Sequence, residues 1–352
     1  MQQKTFAGHF FEDFHLDQTL VHATPRTVTE VDVSLYTALY GSRFAANSSD
    51  VFAMDLGFEG APVDDLLVFH IIFGKTVPDV SINAVANLGY ASGTFAGVVY
   101  PGDTLMARSQ VIGLKENSSG KTGVVYVRTQ GRNQHGELLA DYVRWVMVHK
   151  RDPASPAPTA CVPALPAAVD GQDLVIPATL DLAAYDTALS GSTHLFDDYA
   201  VGEKIDHIDG TTIEEAEHMM ATRLYQNTAK VHFNQLAQAT SRFGQRLVYG
   251  GHIISLARAL SYNGLANAFK IVAINAGSHT NPTFAGDTIS AWTEVLDRHA
   301  FADRADIGAL RLRTIASKNL DNAAFPAKDA AGKYLATTVL DFDYWVLMPR
   351  RG

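Results

Sequence analysis

The chain repeats itself at an offset of about 185 residues, so any fold it adopts must seat two equivalent copies of one unit. His9-Phe10-Phe11-Glu12-Asp13-Phe14 returns as His194-Leu195-Phe196-Asp197-Asp198-Tyr199. In the same register Leu20 meets Ile205, His22 meets His207, and Leu39-Tyr40 meets Leu224-Tyr225. One residue out of step, Tyr100-Pro101-Gly102-Asp103-Thr104 meets Phe284-Ala285-Gly286-Asp287-Thr288. Trp145-Val146 meets Trp345-Val346 after an insertion around Asn319–Lys333. Agreement in one register across both halves indicates a duplication.

These matches divide the chain into a first copy at 1–150, a connector at 151–192 and a second copy at 193–352. The connector region carries Pro153, Pro156, Pro158, Pro163, Pro166 and Pro177, six of the 13 prolines. Proline fixes φ and donates no ladder hydrogen bond, so an extended strap over the surface is expected. Within each copy, Thr27 with Glu30 and Thr212 with Glu215 read as capping boxes that open a helix. A polar loop follows, at Gly41–Asp50 and Gln226–Asn234. A strongly apolar helix comes next, at Asp65–Phe73 and Gly251–Ala266. Strands rich in β-branched residues finish the copy, in the first at Leu105–Gly113, Gly123–Gln130 and Leu139–Val148. A buried helix followed by an antiparallel sheet able to wrap it is an α+β layout.

Apolar residues make up 47% of the chain, enough for a core in each half. The longest apolar stretches are too short to cross a bilayer, and the N-terminal residues lack the apolar centre of a signal peptide. Cys161 is the only cysteine, which excludes an intramolecular disulfide and a cysteine-based zinc site. A net charge of −9 argues against a nucleic-acid partner, which needs clustered Lys and Arg. A cytoplasmic enzyme or binding protein is expected, with no membrane contact and no metal.

Helix, polar loop, buried helix and a Gly-Asp-Thr strand start resemble the tandem, or double, hotdog fold of the MaoC-type hydratases and dehydratases. That family carries a Gly-Asp-x-Asn-Pro-x-His loop after its first helix. On the second copy its histidine falls on His232 and its aspartate on Asn227; on the first copy the two positions hold Asn47 and Ser42. The runs Tyr225–Asn234 and Arg246–Ser255 resemble the mesaconyl-CoA hydratase branch of the family, and the likeness spans essentially the whole chain. The resemblance implies a cofactor-free hydro-lyase on an enoyl-CoA thioester, with mesaconyl-CoA and methylmalyl-CoA as the interconverted pair. It also implies a homo-oligomer, with one active site per double hotdog, in the second copy.

Hydration of such a thioester needs a base for the attacking water, an acid for the α-carbon and donors for the enolate oxygen. His232 titrates near neutrality and suits the proton transfers. Asn227 cannot exchange a proton as a carboxylate does, but it can orient water or the thioester, or cap the preceding helix. Gly250 and Gly251 open the buried helix and offer free N–H groups as an enolate cradle. Tyr225 begins the motif run and is expected beside the substrate. The free carboxylate of a mesaconyl group needs a cation, for which Arg43 and Lys230, in the two equivalent loops, are candidates. His22 and His207 read as a shared structural pair, and His252 as a satisfied core histidine. Two other readings stand beside this one: a hotdog thioesterase, disfavoured by the absence of an acid at 227, and a non-catalytic acyl-CoA binding module.

Overall fold

In a computed structural model, which describes residues 4–351, all ten strands join one antiparallel sheet. The first copy contributes β1 (Thr19–Thr27), α1 (Glu30–Tyr40), α2 (Asp65–Thr76), β2 (Ala84–Phe95), β3 (Thr104–Glu116), β4 (Thr122–Arg132) and β5 (Leu138–His149). The second contributes β6 (Lys204–Thr212), α3 (Glu215–Leu224), α4 (Gly250–Leu260), β7 (Lys270–His279), β8 (Thr288–Ala300), β9 (Ile307–Lys318) and β10 (Thr338–Pro349). The strand order is β1-β3-β4-β5-β2-β7-β10-β9-β8-β6. Each half therefore repeats the other about a two-fold axis that passes between β2 and β7, where Gly93 faces Ile274. The fold is a double hotdog.

The central helices account for the layout. From Leu66 to Thr76 every residue of α2 is buried, as expected of a helix apolar on all sides. In α4 the run Gly251–Arg258 is buried in the same way. At Gly74, the Cβ of any other residue would lie 1.9 Å from the Tyr225 carbonyl oxygen, so glycine lets α2 approach the end of α3. The expected second helix stops early: Asn263 and Gly264 leave helical geometry, and a separate turn spans Tyr262–Leu265.

The two helix starts differ from the expected capping boxes by two residues. Thr29 caps α1, with Asp32 returning the bond, and Glu214 precedes α3 with Glu217 accepting from its N–H. Thr27 and Thr212 instead end their strands, each sharing a hydroxyl contact with Thr104 or Thr288 across the pair. Strand pairing captured these threonines ahead of the helix.

Successive residues of β10 face opposite sides of the sheet: Tyr344 and Val346 join the core around the helices, while Trp345 and Leu347 join a second core behind it. The proline-rich segment closes that second core. Val169, Leu174, Leu180 and Leu182 are buried in it, and the Trp345 indole donates to the Val169 carbonyl at 3.0 Å. The connector is thus more than a surface strap: its apolar side chains cover the back of the sheet.

Candidate active site

A cavity of about 840 Å³ opens where the polar loop of the second copy meets strands of the first. Its lining brings together four of the residues singled out from sequence: Asn227, Lys230, His232 and Gly250. Gln226 ends α3 in the left-handed conformation, φ 53°, at the position where Gly41 (φ 61°) ends α1. A glutamine there costs about 1 kcal/mol relative to glycine, a local strain of the kind concentrated at functional loops. Asn227 follows; its Oδ1 accepts from the Ala229 N–H at 3.0 Å and so starts the helical turn Lys230–Phe233. That bond leaves the amide Nδ2 hydrogens for other acceptors.

The turn carries His232. Its Nδ1 lies 3.0 Å from the Leu247 carbonyl oxygen, an acceptor only, so Nδ1 carries the proton and Nε2 keeps a free lone pair. Burial lowers its pKa to about 4, against the opposing bond to Leu247. The imidazole is therefore neutral at physiological pH, with Nε2 unprotonated. The edge of the Tyr249 ring packs against it with centroids 5.4 Å apart.

Gly250 opens α4, and its preceding residue, Tyr249, offers no side-chain cap. A Cβ at 250 would lie 2.4 Å from the His279 ring, so glycine is what admits that imidazole. His279, at the end of β7, lines the same cavity, with Nε2 3.3 Å from the Tyr90 hydroxyl and a pKa lowered to about 4 by burial. The signal for it was present in the repeat: the equivalent position of the first copy is Phe95. An apolar core position that becomes histidine in one copy is worth marking.

Three residues expected at the substrate are outside the cavity lining. Tyr225 is fully buried between the halves, its hydroxyl 2.6 Å from that of Tyr40. Gly251 packs against the rings of Tyr249 and His70. Arg43 stacks over the Tyr262 ring at 4.5 Å, outside the cavity lining. Lys230 does line the cavity but is exposed, as is Arg242, so both mark its rim. His22 and His207 hold matching strand contacts, at 2.7 Å to Ser109 and Thr293 respectively. His252 is buried, with Nδ1 2.9 Å from the Tyr40 hydroxyl.

Among the described residues that line the cavity there is no aspartate or glutamate; its ionisable groups are histidines, tyrosines, arginines and Lys230. No cluster of three or more His, Cys, Asp or Glu side chains is placed to hold a metal among the described residues. The arrangement provides a neutral base, a second imidazole, an amide donor and an uncapped helix start around one space. Such a set can move protons and stabilise an enolate oxygen.

The sequence profile of the mesaconyl-CoA hydratases matches residues 2–331. The chain is 64% identical to the β-methylmalyl-CoA dehydratase of Chloroflexus aurantiacus over 352 residues, all of both chains. It is 60% identical to the mesaconyl-CoA hydratase of Cereibacter sphaeroides, covering 99% of this chain and all of that one. A solved MaoC domain dehydratase from Chloroflexus aurantiacus superposes over the full length of both chains, with TM-score 0.98 and 64% identity. The chain belongs to the mesaconyl-CoA hydratase family.

Proposed function

We propose that this protein is a hydro-lyase that interconverts mesaconyl-CoA (2-methylfumaryl-CoA) and β-methylmalyl-CoA. The observation that carries the mechanism is His232, held through Nδ1 by the Leu247 carbonyl and left with a basic Nε2 beside the uncapped start of α4.

In the hydration direction, Nε2 of His232 takes a proton from water as the water oxygen bonds to the β-carbon. The π electrons move toward the thioester, whose oxygen becomes an enolate held by the free N–H groups at Gly250 and by the Asn227 amide. The enolate then collapses, and the α-carbon takes the proton that His232 gained, either directly or relayed through the His279 imidazole. Water is added across the double bond and both imidazoles end neutral. Dehydration runs the same steps backward. Proton transfer and enolate stabilisation suffice, so the reading calls for no cofactor.

A thioesterase would need an activated water at the carbonyl, and the acid-free lining speaks against it. Cytoplasmic location and self-association belong to the same reading. No helix among the described residues is long and apolar enough to span a membrane, and the edge strands β1 and β6 expose Val21 and Ile208.

The test is to incubate the protein with mesaconyl-CoA in D₂O and follow the thioester by mass spectrometry. Gain of one water with deuterium at the α-carbon supports the hydro-lyase. Release of free CoA, or an unchanged thioester, rejects it.

A further inference from the structure

Arg144, on β5, has no solvent-exposed surface, yet it lines the cavity. An arginine keeps its charge at any physiological pH, and burying that charge without a counter-ion is costly. Among the described residues Arg144 forms no ion pair. Its Nη2 donates to the hydroxyls of Thr76 at 2.7 Å and Ser81 at 3.3 Å, and its Nη1 lies 3.5 Å from the Asn87 Oδ1. Its guanidinium stacks over the Phe73 ring at 4.3 Å. All these partners are neutral. The titratable groups nearest it are the phenols of Tyr142, Tyr90 and Tyr249, which burial keeps un-ionised, with no carboxylate among them. Arg258, the other deeply buried arginine, instead lies within reach of Asp64 and Asp65.

Two buried N–H donors here have no partner, Nε of Arg144 and Nδ2 of Asn87, and the hydroxyls of Tyr142 and Tyr249 beside them are unpartnered as well. All four groups can donate, and a carboxylate offers only acceptors. In the second copy the position equivalent to Arg144 is Tyr344, satisfied by Thr314 at 3.0 Å. The arginine thus occurs in the copy that faces the second copy's loop across the cavity. Lys230 and Arg242 stand at the exposed rim, where they suit the phosphates of the CoA nucleotide rather than a group at the reacting end.

The geometry points to Arg144 as the residue that receives the free carboxylate of the acyl group, in a subsite completed by Asn87 and Ser81 at the buried end of the cavity. In the hydratase reading, on which this inference rests, that carboxylate is bonded directly to the β-carbon. Clamping it fixes which carbon faces water. It also makes Arg144 the specificity determinant for a four-carbon diacid chain over a neutral enoyl chain. The position next to His232 and His279 is then set by the arginine at one side and the thioester cradle at the other.

The experiment uses two non-reacting analogues in calorimetric titrations. One is 2-methylsuccinyl-CoA, with the thioester beside the methyl-bearing carbon; the other is 2-methylbutyryl-CoA, which has a methyl group where the first has its carboxylate. Wild-type protein should bind the first about 30-fold or more tightly than the second. Equal affinities overturn the subsite while the hydratase reading stands. Failure to bind either thioester overturns the reading itself. In Arg144→Met the ratio between analogues should fall to about one, and Arg144→Lys should retain part of it. Parallel losses on both analogues, with the ratio kept, would mean a structural arginine and overturn the proposal. Should Arg144→Met not fold, Asn87→Leu leaves the guanidinium in place and should still cut the ratio severalfold; an unchanged ratio there overturns the proposal too.

Discussion

The second copy's loop and the start of α4 border a cavity of about 840 Å³, whereas the same elements in the first copy border one of about 10 Å³. The linings correspond position by position: Asn47 stands for His232, Phe58 for Phe243, Pro62 for Leu247 and Asp65 for Gly250. Even the tether survives, since Asn47 Nδ2 donates to the Pro62 carbonyl at 2.9 Å where His232 donates to Leu247. The difference lies in what fills the space. Val85 and Ala86 of one wall become Phe269 and Lys270 in the other, and Lys270 pairs with Asp65 at 2.5 Å. Asp64 then caps the Leu66 N–H at 2.8 Å, so the helix start that is open in the second copy is closed by its own side chain. One scaffold thus yields a reaction space or a packed joint, according to a handful of side chains.

The largest effect should come from exchanging the tethered residue. His232→Ala is expected to lower kcat by about 10²–10⁴-fold with the fold retained by circular dichroism. Ser42→Ala with Asn47→Ala should stay within about tenfold, because that loop borders only a packed joint of about 10 Å³. Comparable losses from the two loops would end the division into working and packed halves.

Asp65→Ala leaves Lys270 buried without its partner and should cost about 3–5 kcal/mol in chemical denaturation. Removing both, as Asp65→Ala with Lys270→Met, should recover much of that loss. A double variant as unstable as the single one would show that the pair does more than fill the collapsed cavity.

Acid should act mainly through the second copy. Burial lowers the imidazole pKa to about 3 at His70 and His252 and to about 4 at His207, His232 and His279. Unfolded imidazoles titrate near about 6.5, so between there and about 4 the unfolded chain binds more protons, and stability is lost as pH falls through that window. Asp64, desolvated and beside Asp65, is pushed up to about 6 and works in the opposite direction, but it is one group against these imidazoles and that of His218, which burial also lowers. Tm should therefore drop between about pH 6.5 and about pH 4. His279→Phe, which installs the first copy's residue, should flatten that drop; an unaltered profile would remove His279 from the account.

The smallest effect concerns the ends of α1 and α3. Gln226→Gly should raise stability by about 1 kcal/mol, and Gly41→Gln should lower it by about as much, both read from denaturation midpoints. A gain in stability with a loss of turnover would tie the strained glutamine to loop placement.

The duplication, the helix–sheet order, His232, Asn227 and the Gly250 helix start were all legible in the sequence because they lie within one copy and follow local rules. Arg144 was not, and His279 left only the mark of a histidine at the position of Phe95, for a reason that is physical rather than statistical. The cavity is walled by strands of both copies, and periodicity along β5 marks residue 144 as interior without revealing that this part of the interior is hollow. The same limit misplaced Arg43 and Tyr225. Equivalence by offset put Arg43 in the loop matching that of Lys230, but the first copy's loop packs against the second copy, where Arg43 stacks over Tyr262. Tyr225 adjoins the motif in sequence, yet its ring turns to the contact between halves.

That contact has one further consequence. His70 and Ser255 occupy the same position of the repeat, 185 residues apart, and they bond to each other at 3.1 Å. Two separate identical chains meeting on a two-fold axis would have to present the same residue twice there: two imidazoles or two hydroxyls. Joining the copies in one chain frees each side of the axis to vary alone, and here it allows unlike partners to meet. Tyr40 and Tyr225 still meet as like partners at 2.6 Å. The seam between the halves therefore holds, a few ångströms apart, one pairing that a symmetric ancestor could have made and one available only after fusion.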